Sequence, residues 1–79
     1  MRHYQKVKTK EFSDVKFRKQ NYLVIEDNNK FNIGDIIVLD EFNEMGNATG
    51  NAIAKTIINV DRDNEDGINK GYCILGLQL

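Results

Sequence analysis

The side chains with the means for chemistry are concentrated at the start of this chain. Residues 1–20 hold Arg2, Lys6, Lys8, Lys10, Lys16, Arg18 and Lys19 against only Glu11 and Asp14, a local charge of +5. The remainder carries four basic and ten acidic groups, so the whole chain sums to −1. A basic segment on a weakly acidic body attracts phosphate locally without overall basicity. Tyr4 and Tyr22 are interleaved with these cations. Ammonium and guanidinium groups neutralise phosphates, and a tyrosine ring stacks on an unpaired base. The chemistry this pattern points to is weak, salt-sensitive binding of a phosphate-bearing ligand. The plainer reading of the same run is a solvated lysine face.

Other chemistries find less support. His3 is the single histidine, and no cysteine or carboxylate cluster stands near it at metal-ligand spacing. It reads as a strand-edge histidine bonded to backbone. Asp61, Asp63 and Asp66 fall at positions one, three and six of "DRDNEDG", which has a faint calcium-loop look. Gly67 falls one position late for such a loop and no glutamate closes it, so a solvated acidic loop is expected. Cys73 alternates with leucines and reads as a buried structural thiol. There is no phosphate-cradling glycine loop and no nucleophile–histidine arrangement. No metal, cofactor or catalytic group is expected.

Seventy-nine residues make one domain, 1–79. A chain this short buries only about 60% of its unfolded surface, so its core is compact or completed by a partner. An apolar content of 41% with 29% charged residues fits a soluble globular protein. No apolar run nears the roughly 20 residues needed to span a bilayer. No apolar segment follows the basic start, so a signal peptide is not expected. One cysteine allows no internal disulfide, which fits a reducing, cytoplasmic setting. Asn, Ile and Lys supply 27 residues, all with AT-rich codons, which suggests a bacterial or phage source.

The elements that position these groups follow from periodicity. The first ten residues read as an opening strand. In "TKEFSDVKF", Thr9 reads as a cap and Phe12 and Val15 sit three apart, predicting a short helix over about 9–18. "NYLVIE" at 21–26 is a continuous apolar run and reads as a strand buried on both faces. "NIGD" permits a bend, because glycine accepts positive φ and Asp35 can bond the chain locally. "IIVLDEF" is the second strong strand, and "NEMGNATGN" reads as a turn. Residues 52–60 alternate in part, and in "YCILGLQL" Cys73, Leu75, Leu77 and Leu79 share one face. Gly76 within that strand implies a bend or a close backbone approach. The expected fold is mainly β (α+β): a small barrel of about five strands with one early helix.

In element order and in ordered residues, the chain resembles the ASCH group of PUA-like barrels, specifically small stand-alone ASCH-like domains of phages and Gram-positive bacteria. The matching residues run from His3-x-x-Lys6 through Phe12-x-x-Val15 to Phe31-x-x-Gly34-Asp35-Ile36-x-x-Leu39-x-Glu41. They continue through Thr49-Gly50 to Gly71-Tyr72-x-Ile74-Leu75. ASCH domains carry a Gly-x-Lys-x-x-Glu-x-Arg pattern after the helix. Here Lys19 falls near the family lysine and Arg18 near the glycine, while Leu23 and Ile25 replace the Glu and Arg.

What the resemblance implies is a non-catalytic module binding RNA or a nucleotide-like ligand. Its cleft would be lined by His3, Lys6, Lys16, Arg18, Lys19 and Tyr22, with Thr49 and Gly50 as loop contacts. The alternative is a protein-interaction or homodimerisation module, with Leu23 and Ile25 as core or as an apolar patch. Some ASCH relatives are amidohydrolases acting on acylated cytidine, with a lysine, a threonine one turn on and a distant glutamate. Here Tyr22 follows Lys19 where threonine is wanted.

Overall fold

A computed structural model of the chain describes residues 1–27, 30–62 and 71–79. The elements run β1 (Arg2–Lys8), α1 (Thr9–Lys16), β2 (Tyr22–Glu26), β3 (Ile36–Phe42), β4 (Ala48–Asp61) and β5 (Tyr72–Leu77). The five strands form one mixed sheet in the order β1-β3-β4-β5-β2. β1 lies parallel to β3, with His3 beside Ile37 and Val7 beside Glu41. The remaining pairs are antiparallel. Among the described residues there are thus five strands and one early helix, but the edges β1 and β2 share no ladder and the sheet is not closed. Among the described residues, no helix is long and apolar enough to cross a membrane.

Fourteen residues long, β4 joins the two halves of the sheet. Its first part pairs with β3 and its last part with β5. Within the part that pairs with β5, Ile58 is an extra residue between Ile57 and Asn59, and the register shifts by one. Such a bulge bends the strand and increases its twist. Gly76 of β5 faces this bulge; an added Cβ would lie 3.1 Å from Asn59 Cβ, the close approach expected of it.

One core results. Val7, Phe12, Val15, Leu23, Ile25, Phe31, Ile37, Leu39, Ile57, Cys73, Leu75 and Leu77 form a single buried cluster drawn from both halves of the sheet and the helix. The inward rows follow the period of two expected of strands. β2 is the exception to its sequence reading. Leu23 and Ile25 are core, but Tyr22 and Val24 are 48% and 52% exposed. As an edge strand in antiparallel pairing, β2 has one solvated face. Leu79, expected on the inward row of β5, is exposed beyond its end.

The helix is shorter than expected, ending at Lys16, and Thr9 is its first residue rather than its cap. Phe12 and Val15 face the core. It stops in a Schellman turn. The Arg18 N–H donates to Val15 O and the Lys19 N–H to Asp14 O at 2.8 Å. Arg18 occupies the left-handed position with φ 65°, where a side chain clashes with its own backbone. Arg18→Gly is therefore expected to stabilise the chain by roughly 0.5–1 kcal/mol. A chemical denaturation midpoint equal to or below the parent's would contradict this.

Candidate functional site

Two shallow clefts meet at the end of β1. The larger, about 500 Å³, is lined by Lys6, Val7 and Lys8 of β1, by Phe42, and by the turn that holds Met45. The smaller, about 260 Å³, is lined by Lys6, Asp40, Glu41, Phe42, Gly50 and Asn51, with Ala48 beside them. Lys6 and Phe42 belong to both. The strands explain why. Lys6 and Lys8 pair with Asp40 and Phe42 across the parallel ladder, so all four share the face turned away from the core. The Lys6 ammonium stands 5.0 Å from the centre of the Phe42 ring. An exposed contact of this kind is worth about 0.5–1 kcal/mol, so a ligand can displace it.

Glu41 is on the opposite, inward row of β3, following Ile37 and Leu39, and is only 8% exposed. A buried carboxylate needs donors. They come from an irregular stretch of β4. Asp40 pairs with Ala52 and Phe42 with Ala48, so three residues of β4, 49–51, oppose Glu41 alone. Gly50 takes φ 90° within this bulge. Thr49 and Asn51, two apart, then point the same way. The Thr49 hydroxyl donates to Glu41 Oε1 at 2.7 Å and Asn51 Nδ2 donates to the same oxygen at 2.9 Å. Asn51, Thr49 and Thr9 bonds, in that order, hold the Glu41 carboxyl below its usual value, and the Lys16 ammonium adds to this. A carboxylate so held is a weak base. The Thr49–Glu41 contact is therefore poorly suited to activating the hydroxyl and well suited to fixing the bulge.

The expected site residues divide into four groups, of which His3 alone is the last. Lys6, Thr49 and Gly50 come together around Glu41, with Lys16 near enough to act on its charge. Arg18 and Lys19 are exposed on the turn after α1, and Lys16 places its ammonium 5.6 Å over the Phe17 ring. Tyr22 is on the outer face of β2, at the far edge of the sheet from β1.

His3 differs most from its sequence reading. It is not bonded to backbone; its Nε2 meets Asp35 Oδ2 at 2.8 Å. Its side chain is 9% exposed and its ring packs 4.7 Å from that of Phe31. Three residues from Lys6 on a strand, it faces the other side of the sheet. Asp35 also accepts from the Met1 amino group at 3.0 Å and from the Asn32 N–H at 3.2 Å. The His3 bond, then the Met1 amino group, lowers the Asp35 carboxyl to about 2. This cluster ties the start of β1 to the Gly34-Asp35 bend, where Gly34 has φ 94°.

Sequence reasoning missed Lys8, Glu41, Phe42, Met45 and Asn51 as site residues. For Glu41 a signal was present: read at period two, Ile37, Leu39 and Glu41 place an acid in the buried row. Cys73 is buried, and burial pushes its thiol pKa up, as suits an inert thiol. Leu23 and Ile25, which stand where a charged pair was wanted, belong to the core. Of the acidic loop, Asp63 and Asp66 lie outside the described residues.

Residues 2–77 match a family model described as a domain of unknown function, DUF3850. No curated protein matches the chain.

Proposed function

The chain belongs to the DUF3850 family, and we propose that it is a non-catalytic module of the ASCH, PUA-like kind that binds RNA or a nucleotide-like ligand at the Lys6 clefts. The observation that carries this reading is the junction itself. One lysine, beside a half-buried aromatic ring, borders both clefts, and a second lysine stands two residues along on the same face. Cations beside a ring suit a phosphate next to a base. Glu41, kept ionised below the smaller cleft, offers an acceptor for a base N–H. In this reading the two half-sheets around one core are walls of a PUA-like barrel, and α1 spans the seam between β1 and β2. Support comes from Gln20, whose amide donates both to Glu11 of the helix and to the Tyr22 carbonyl on the β2 edge.

The test is fluorescence anisotropy with a short labelled single-stranded RNA across a salt series. Lys6→Ala is expected to weaken binding about tenfold at low salt, and to flatten the slope of log K against log[salt] by about 0.7. Lys10→Ala, on the helix and paired with Asp14, leaves both unchanged. No binding by the parent at low salt, or equal binding by Lys6→Ala, rejects the reading.

A further inference from the structure

The larger cleft is more than a pair of cations. Met45, at its lip, is 85% exposed. An apolar side chain left in water forgoes burial, and methionine is a residue type that adaptable binding surfaces use. Its turn is nevertheless firmly built. Asn43 Oδ1 accepts the N–H groups of Met45 and Asn47, each at 3.0 Å. The Asn43 N–H donates to Asn47 O, and the Gly46 N–H donates to Asn43 O, both at 2.9 Å. Gly46 supplies the required left-handed residue at φ 82°. The backbone that carries the thioether is thus fixed at the lip before any ligand arrives.

The Phe42 ring provides further apolar surface in the same cleft, and Lys6 and Lys8 provide the charge. Glu44, on the turn, is the acidic member of the lining. A ligand bound by charge alone would leave Met45 and the Phe42 ring without a role. We infer that Met45 and Phe42 clamp the flat faces of one unpaired base of a single-stranded RNA, while Lys6 and Lys8 take the flanking phosphates. This rests on the RNA reading above and adds what that reading lacks, a requirement for the base. The Lys6 ammonium, over the Phe42 ring in the free chain, gives way to the base and follows the phosphate on its flexible stem.

Three probes test this on the whole chain: a short oligouridylate, the same strand with abasic riboses, and uridine monophosphate. The parent is expected to bind the oligouridylate about tenfold more tightly than the abasic strand. Met45→Ser lowers oligouridylate affinity to the abasic level and leaves abasic binding unchanged, whereas Met45→Leu keeps most of the affinity. Thermal melting of both variants matches the parent, since Met45 packs on nothing buried. Equal affinity for the abasic strand, or no effect of Met45→Ser, overturns the clamp while leaving the charged cleft standing. Uridine monophosphate bound as tightly as the strand overturns RNA as the source of the base. No binding of any probe overturns the clamp and the RNA reading together.

Discussion

Leu39→Ala is expected to lower the free energy of unfolding by about 2–5 kcal/mol, the cost of a cavity in a packed core. A domain of this length has a total stability of roughly 4–12 kcal/mol, so the loss is a large share. Leu39 has no exposed surface. It lies in β3 between Gln5 of β1 and Ile53 of β4. Two residues on, the same inward row presents Glu41, so the strand that fills the core also positions the bulge of the site. Urea titration followed by circular dichroism reads the loss. Leu39→Met, which conserves volume, should cost less than about 1.5 kcal/mol. A loss below about 1 kcal/mol for alanine would mean that this core is not packed around β3.

Acid should expose the Asp35 cluster. Its carboxyl is lowered to about 2, first by the His3 bond and then by the Met1 amino group. In an unfolded chain an aspartate titrates near about 3.9. Folding therefore favours the ionised form. The contribution is complete above about pH 4 and is lost as pH falls through about 2. Glu41, also lowered, adds a loss of the same sign. Asp35→Asn keeps the shape and removes the titration. It should be less stable than the parent at neutral pH, with the gap closing as pH falls from about 4 to about 2. Urea midpoints taken every half unit of pH provide the comparison. A gap that stays constant throughout would show that Asp35 contributes through shape or packing and not through its charge.

These two residues also mark where the fold could be read in advance. The Gly34-Asp35 bend was legible because its requirements are local: a left-handed glycine and a side chain bonding a neighbour three residues back. The same holds for the inward row of β5 and for Phe12 and Val15 of α1. That Asp35 would hold His3 was not legible. The two residues are 32 positions apart, and only the parallel pairing of β1 with β3 brings them together. β2 departs from its sequence pattern for a related reason. A continuous apolar run does not say whether it lies within a sheet or at its edge, and here Tyr22 and Val24 face outward.

The clefts were legible only in part. Lys6, Thr49 and Gly50, expected from the resemblance, lie around Glu41. Asn51 is not so expected, because a bulge has no periodic signature, and Lys8, Phe42 and Met45 are not, because only the pairing of β1 with β3 brings that strand beside the turn. Gly50 was a hint, yet the number of residues looped out depends on the register at which β4 meets β3.

By itself, the sequence determined the series of elements, the early helix, the inward row of β5 and the glycine-bearing turns, since each is settled by propensity and by periods of two or 3.6 residues within a short window. Tertiary structure alone decided the order of strands in the sheet, the open edges at β1 and β2, the partner of His3 and the donors that meet Glu41. Those depend on pairings between segments far apart in the chain, whose free energy comes from shared burial and ladder register and from no residue taken alone.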